Sequence, residues 1–289
     1  MKNIIIDGSP LIYASYFTLR DKINFWLVFG VLNSILTIIE EEQPSTLAIV
    51  WGSRQIDKRI AYPMYRTGSN RTKIDFDQKQ YNRVIEILTS LGTCQLKLEG
   101  LEADQVLAAY VNSVKECTII SDDKDFFQLL NDTKRLKGPR RGEWTADKVI
   151  QEYHIKHADM FADWQALAGD PVDTIPRVLY TKDVEFALKQ KGYLKDWLLK
   201  PVPDLTGLPS RVVKKLEGSM SQARMNYLLV NLRDERLTDS MLMPTAIDLN
   251  FAQDKFYKMQ MNIFLKKFDK FASLGGMNLA VKRETVGLK

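Results

Sequence analysis

Several acidic residues of this 289-residue sequence follow directly on short apolar runs. Asp7 ends the run in IIIDGS, Glu102 and Asp104 stand in EGLEADQ, and Asp123 and Asp125 stand in IISDDKD. Carboxylate oxygens, with no His or Cys among them, are ligands that suit Mg²⁺ or Mn²⁺ better than Zn²⁺. The residue types therefore predict a divalent-metal site, provided that the fold brings the five side chains together.

The elements around these acids favour such a convergence. Four apolar runs predict buried strands, and the residues between them have helical spacing, as in Tyr81, Val84, Ile85, Leu88 and Leu91. Alternation of strands and helices predicts an α/β domain with a largely parallel sheet, in which ligands collect at the carboxyl ends of the strands. The predicted strands are Ile4–Ile6, Leu47–Trp51, Cys94–Leu98 and Cys117–Ile120.

A simpler interpretation exists for any single acid. Asp7 precedes SPLIYASY and Asp125 precedes FFQLL, so each could be the N-cap of a helix and nothing more. Capping explains one residue at a time, but it does not explain why several acids follow separate strands. We therefore favour the metal site for the set as a whole.

Composition and charge limit the class of protein. With 45% apolar and 27% charged residues, the chain resembles a globular domain and not a disordered or fibrous one. The apolar stretch 25–39 is too short for a membrane span, and the first residues lack a signal-peptide pattern, so we expect a cytoplasmic protein without membrane association. The net charge of +5 is concentrated in basic runs at 54–73 and 134–141, which favours a polyanionic partner.

The motifs that hold the acids resemble those of a known enzyme family. IIIDGS is similar to its first strand, Glu102 and Asp104 to its E-A-D motif, and SDDKDFFQLL to its S-T-D-K-D-L-L-Q-L-L segment. GDPVDTIP is similar to its G-D-x-x-D-N-I-P turn and adds Asp170 and Asp173. The order and spacing of these motifs over residues 1 to roughly 240 resemble the 5′ nucleases of the flap endonuclease superfamily, including the bacteriophage 5′-3′ exonucleases and the 5′ nuclease domain of bacterial DNA polymerases.

This resemblance implies a fold and a metal centre. The expected fold is a PIN-like, mostly parallel α/β sheet with flanking helices at 1–155, followed at 156–289 by a helical, helix-hairpin-helix-type region that binds duplex. The expected chemistry is a two-metal mechanism with Mg²⁺ or Mn²⁺. One ion would be held by Asp7, Glu102, Asp104 and Asp123, and the second by Asp125, Asp170 and Asp173.

The basic segment at about 53–75 is similar to the arch or clamp of the same family. There the resemblance assigns catalytic contacts with the scissile phosphate to Arg66 and Arg71, and base stacking to Tyr65. Arg59 and Lys73 would add contacts with nucleic acid. A solvated loop without function is the alternative interpretation, because charged runs are common on protein surfaces.

Position 52 and the segment after GDPVDTIP depart from the family pattern. Gly52 stands where the second strand of the family usually ends in an Asp, so one carboxylate is missing from the first metal site. After GDPVDTIP the family has G-V-x-G-I-G, whereas this chain has RVLYTK, which puts the hairpin geometry and its K⁺ site in doubt. Lys182, Lys214 and Lys215 still supply cations for a duplex backbone.

The sequence thus predicts a monomeric, metal-dependent, structure-selective 5′ nuclease of DNA replication or repair. Its expected partners are branched or 5′-overhang duplex DNA, with RNA/DNA hybrids as a further candidate. One alternative is a degenerate member that binds branched DNA without cleaving it well. Another is a PIN-like ribonuclease or toxin, which would have no need of GDPVDTIP.

Overall fold

The computed structural model describes residues 2–53, 62–65 and 76–276. Its strands form one six-stranded sheet in the order β3-β2-β1-β4-β5-β6. The pairs β1–β2, β1–β4 and β2–β3 are parallel, whereas β5 and β6 form an antiparallel hairpin. The strands are β1 Asn3–Asp7, β2 Thr46–Val50, β3 Cys94–Leu96, β4 Cys117–Ile120, β5 Lys134–Gly138 and β6 Gly142–Trp144.

The α-helices in the described residues flank the sheet or follow it in the chain. Those of the first half are α1 Gly8–Leu19, α2 Trp26–Glu42, α3 Gln78–Ser90, α4 Ala103–Ser113 and α5 Ala146–Tyr153. Those of the second half are α6 Phe161–Ala168, α7 Thr181–Lys191, α8 Leu194–Trp197, α9 Ser210–Glu217, α10 Met220–Val230, α11 Leu249–Lys258, α12 Asn262–Lys266 and α13 Phe268–Ala272. Short 3₁₀ helices span Lys124–Leu129, Ala158–Met160 and Asp239–Met241. None of the helices described is long and apolar enough to cross a membrane.

Burial on both faces explains the central strands. The consecutive residues Ile4, Ile5 and Ile6 of β1 are all fully buried, so their side chains pack on opposite sides of the sheet. Helix α2 buries an apolar face that includes Val31 and Ile35 in the same core. The mostly parallel α/β fold with flanking helices that the sequence predicted is confirmed.

Contacts divide the described residues into two compact units. The first comprises residues 2–53, 76–122 and 236–276, and the second comprises 62–65 and 123–235. The two predicted domains, with a boundary near residue 155, remain a prediction about the domain organisation.

The segment after residue 235 adds to the first unit. Leu242 makes an antiparallel bridge with Leu96 of β3, and the backbone nitrogen of Lys97 donates to the carbonyl oxygen of Met241 at 2.8 Å. Phe256 and Phe264 from α11 and α12 are fully buried in the core that contains α2. Residues from both ends of the described chain therefore build one hydrophobic core.

Candidate metal centre

Asp7 is the last residue of β1 and the N-cap of α1. Its Oδ1 accepts a hydrogen bond from the backbone nitrogen of Ser9 at 3.1 Å, and its Oδ2 accepts one from the hydroxyl of Ser121 at 3.1 Å. Ser121 directly follows β4, the parallel neighbour of β1. The carboxylate is only 5% exposed and is fixed between two strand ends. A carboxylate has about four lone-pair positions, and these two bonds orient it by using one position on each oxygen.

Glu102 and Asp104 lie at the first turn of α4, which follows β3 in the chain. Glu102 is buried and is the N-cap, where a capping box joins it to Gln105. The side-chain oxygen of Gln105 accepts from the backbone nitrogen of Glu102 at 3.3 Å. Asp104 is half-buried in the same turn. Gln105 therefore orients the start of this helix. We call Asp7, Glu102 and Asp104 the strand-end acids.

Gly52 lies beside the strand-end acids. A Cβ atom at this position would be 3.5 Å from the hydroxyl oxygen of Ser9 and 3.8 Å from the Cβ of Ala103, which are ordinary contact distances. Ser9 belongs to the first turn of α1 and Ala103 to the first turn of α4. The position that lacks the carboxylate of the family is therefore next to both elements that carry the strand-end acids, and it has room for a side chain.

Asp123 and Asp125 lie in the second unit, three and five residues after β4. Asp123 is the N-cap of the 3₁₀ helix Lys124–Leu129 and accepts from the backbone nitrogen of Asp125 at 3.0 Å. Their carboxylates offer oxygen atoms within 4.8 Å of one another, close enough to share a metal ion. The capping role considered for Asp125 thus belongs to Asp123, and the one considered for Asp7 is observed.

Asp170 is 2% exposed and is surrounded by donors. Its Oδ2 accepts from the amide nitrogen of Gln165 at 3.0 Å and lies 3.1 Å from the ammonium nitrogen of Lys124, while its Oδ1 accepts from the backbone nitrogen of Val172 at 2.9 Å. The same amide nitrogen of Gln165 donates to Oδ1 of Asp125 at 2.8 Å. Burial opposes the charge of Lys124, but the adjacent Asp170 outweighs that effect and raises the pKa of Lys124. We call Asp125, Asp170 and Asp173 the turn acids.

The backbone of GDPVDTIP turns sharply between α6 and α7. Gly169 has φ +77°, and a Cβ there would lie 2.7 Å from the backbone nitrogen of Arg177, so only glycine fits. Asp170 and Ile175 pair through two backbone hydrogen bonds of 2.9 and 2.8 Å. Thr174 also has a positive φ of 60°, which is unfavourable for a β-branched residue. Asp173 is 3% exposed in this turn.

Side chains on helices α10 and α6 make buried polar contacts next to the turn. The amide nitrogen of Asn226 on α10 donates to the carbonyl oxygens of Ala166 and Pro176, each at 2.8 Å, and thereby ties together the two ends of the turn. On α6, Asp163 is fully buried and its Oδ2 lies 3.0 Å from Arg233. Burial raises the pKa of Asp163 to about 6, although the neighbouring Arg233 acts in the opposite direction.

The predicted duplex-binding cations are on the surface. Lys182 at the start of α7 and Lys214 and Lys215 on α9 are exposed. In the segment that departs from the family, Leu179 is buried and Tyr180 is 69% exposed. Helices α6 and α7 are consecutive and contact each other, as a hairpin of helices requires.

Most residues assigned to the arch lie outside the part of the chain that the structure describes. Arg59, Arg66, Arg71 and Lys73 lie outside the described residues, so their assignments stay predictions. Tyr65 is described and is 2% exposed, with its backbone nitrogen donating to the carbonyl oxygen of Tyr62 at 2.9 Å. Its role in base stacking also remains a prediction.

Sequence reasoning missed the side chains that hold the turn acids. Lys124 lies between two aspartates in SDDKDFF, and this position could have indicated an ion pair with nearby acids. Gln165 was less visible, although a glutamine among the apolar residues of FADWQALA is unusual for a buried helix face. Buried polar side chains of this kind need partners, which is a reason to suspect a structural or functional contact.

Comparison with known proteins gives relatives along most of the chain. It is 28% identical over 283 residues to the 5′-3′ exonuclease of Aquifex aeolicus, covering 92% of this chain and 94% of that protein. It is 26% identical over 258 residues to the thermostable DNA polymerase I of Thermus thermophilus, covering 85% of this chain. The match spans only 30% of the length of that polymerase.

Solved structures show the same fold. The bacteriophage T5 flap endonuclease, crystallised in a complex with DNA and metal ions, superposes with a TM-score of 0.64 at 16% identity, covering 97% of this chain and 99% of that one. The catalytic core of Rad2 with a DNA substrate gives a TM-score of 0.57 at 15% identity, covering 89% and 88% of the two chains.

A family model agrees with both comparisons. The model described as "5′-3′ exonuclease, N-terminal resolvase-like domain" matches residues 2–156, which is more than half of the chain. This range contains the strand-end acids together with Asp123 and Asp125. By its sequence, the chain belongs to the 5′-3′ exonuclease family of nucleases.

Proposed function

We propose that this protein is a metal-dependent, structure-selective 5′ nuclease that hydrolyses phosphodiesters in branched or 5′-overhang duplex DNA by a two-metal mechanism. The observation that carries this proposal is the arrangement of the acids at the carboxyl ends of parallel strands and in the turn after α6. RNA/DNA hybrids are included among the proposed substrates, and the protein is proposed to act as a monomer in the cytoplasm.

The donor set fits a hard divalent cation, because carboxylates are the only side chains of the usual ligand types within it. Asp7, Glu102, Asp104 and Asp123 are assigned to one ion, and Asp125, Asp170 and Asp173 to the second. When bound, Mg²⁺ or Mn²⁺ activates water and stabilises the leaving oxygen of a phosphodiester. The protein contributes fixed carboxylates, because the capping hydrogen bonds of Asp7 and Asp123 orient them before any ligand arrives.

Basic side chains are assigned to the nucleic acid. Arg66 and Arg71 are proposed to contact the scissile phosphate, and Arg59, Lys73 and Tyr65 to contact the single strand. The exposed Lys182, Lys214 and Lys215 are proposed to bind the duplex backbone. Each phosphate contact releases counterions, so binding should weaken steeply as salt rises. The T5 flap endonuclease and the Rad2 core, which have this fold, were crystallised with DNA.

The test is cleavage of 5′-labelled flap, 5′-overhang and blunt duplexes with Mg²⁺, Mn²⁺ or chelator. The proposal expects products from the flap and overhang substrates only when metal is present. Asp123→Asn should abolish cleavage while binding of the flap in chelator stays intact, because one repelling charge near the phosphates is removed. Cleavage that continues in chelator, or that Asp123→Asn leaves unchanged, would contradict the proposal.

A second candidate is a family member that binds branched DNA with little cleavage. Two observations favour it: Gly52 supplies no carboxylate beside the strand-end acids, and RVLYTK replaces the glycine-rich hairpin, with an exposed Tyr180. This candidate expects tight, structure-dependent binding in the same assay without products in either metal.

A further inference from the structure

Gln165 joins two acids that come from separate parts of the second unit. It lies on α6, whereas Asp125 belongs to the 3₁₀ helix after β4 and Asp170 to the turn after α6. One amide nitrogen donates to both carboxylates, at 2.8 Å and 3.0 Å. An NH₂ group has two hydrogens, so a single glutamine can make both bonds at once.

The unsatisfied end of the same side chain fixes the orientation of its amide. Gln165 is fully buried, and its carbonyl oxygen has no hydrogen-bond partner among the described residues. Rotating the amide by half a turn would place that oxygen against two carboxylates, where an acceptor would face acceptors and no hydrogen bond could form. The protein thus leaves a buried acceptor unpaired in order to direct both hydrogens at the acids, an arrangement that packing alone does not require.

The local charge gives this contact its role. Asp125 and Asp170 repel each other when both are ionised, and Lys124 supplies a compensating charge to Asp170 through a 3.1 Å contact. Gln165 adds donors without adding charge. A second lysine in its place would also bind both acids, but it would reduce the negative potential that attracts a cation.

We propose that Gln165 is a positioning residue for the metal site of the turn acids: its neutral amide holds Asp125 and Asp170 at the separation at which they bind a divalent ion. This inference rests on the proposed function, since it presupposes that these two acids are ligands. Hydrogen-bonding partners of ligating carboxylates commonly change metal affinity by about 10- to 100-fold when they are removed.

The experiment measures Mn²⁺ binding to the full chain, without DNA, by calorimetry and electron paramagnetic resonance. Gln165→Met keeps the length and loses both donors, and we expect it to weaken the ion bound by the turn acids about tenfold. Gln165→Asn keeps the amide but is too short to reach both acids, so it should weaken binding as well. Because asparagine keeps a polar amide in this buried position, Gln165→Asn can be measured even if Gln165→Met does not fold.

Gln95→Met is the matched control. Gln95 is also a buried glutamine with bridging bonds, to Trp51, Thr89 and the carbonyl oxygen of Ile85, but it makes no hydrogen bond to a carboxylate among the described residues. We expect both Gln95→Met and Gln165→Met to lower the unfolding temperature. Gln95→Met should nevertheless leave the Mn²⁺ affinity within about twofold, because only a hydrogen-bond partner of a metal ligand affects metal binding directly.

Asp170→Asn distinguishes a failure of the proposed metal site from a failure of the positioning role of Gln165. If it leaves Mn²⁺ binding unchanged, the turn acids bind no metal, and both the proposed function of these acids and the role of Gln165 are wrong. If Asp170→Asn weakens binding but the Gln165 variants do not, only the positioning role is overturned. Equal weakening by Gln95→Met and Gln165→Met would also overturn it, because the loss would then follow from stability alone.

Discussion

The strand-end acids and the turn acids are held in place by different means. Asp7 and Glu102 occupy N-cap positions between strands and helices, so regular backbone hydrogen bonding sets their positions. Asp170 lies in an irregular turn and depends on the side chains of Lys124 and Gln165. In the first group orientation follows from secondary structure, whereas in the second it follows from tertiary contacts between separate segments.

This difference has an energetic consequence. A cap uses one backbone donor per acid and contributes about 1 kcal/mol to helix stability, so the strand-end acids stabilise the fold that positions them. The turn acids do the reverse, since bringing buried carboxylates together is unfavourable unless donors or cations compensate. The turn group should therefore respond more strongly than the strand-end group to changes in neighbouring side chains.

The largest effect is expected for Asp7→Asn. The amide oxygen of asparagine can still accept from Ser9, and asparagine is a good N-cap, so the fold should be retained. The negative charge is lost, and we expect the single-turnover cleavage rate to fall by about 10³-fold or more, as for other essential catalytic groups. Circular dichroism melting provides the control for folding. A rate within about tenfold of the parent would show that Asp7 is only a cap.

The next largest effect concerns pH and the helix that carries Gln165. Because burial raises the pKa of Asp163 to about 6 in the folded state, the folded protein retains a proton between about pH 4 and 6 that the unfolded chain releases. The stabilisation from protonated Asp163 is present below about pH 4 and is lost as the pH rises to about 6, which lowers the free energy of unfolding by about 3 kcal/mol. Urea unfolding of the parent and Asp163→Asn across this range measures it. A stability difference between the two that is independent of pH would contradict the shift.

A smaller effect is expected in the turn itself. Thr174 has φ 60°, a conformation that asparagine tolerates better than a β-branched residue. Thr174→Asn should therefore raise the free energy of unfolding by about 0.5–1 kcal/mol. Thr133→Asn is a suitable control, because Thr133 is exposed and its φ is not positive. Destabilisation by Thr174→Asn would mean that the threonine side chain itself holds the turn.

The smallest effect is expected for Gly52→Asp. The position has room for a Cβ beside Ser9 and Ala103, and its φ is not in the left-handed region, so the substitution should be accommodated. An added anionic ligand strengthens the binding of hard cations, and we expect the Mg²⁺ concentration for half-maximal cleavage to fall about threefold. Gly52→Asn, with the same shape and no charge, is the control. An unchanged or higher requirement would mean that the first site is already complete.

The two groups of acids also differ in how far the sequence alone could identify them. The buried run Ile4–Ile6 and the acid that follows it are adjacent in the chain, so periodicity located both the strand and Asp7. The contacts of Gln165 join segments 40 residues apart, and no local pattern encodes such a distance. Asp170 and Asp173 were identified only through the resemblance to a family, because their turn has no regular period.

The pairing of Leu242 with Leu96 has a consequence for synthesis on the ribosome. At about 5–20 residues per second, residues 241–243 emerge on the order of ten seconds after β3, which until then is an open edge. The aromatic side chains of α11 and α12 complete the first core later still. The nascent chain thus exposes a sheet edge and an unfinished apolar surface, so we expect truncation before residue 241 to promote aggregation.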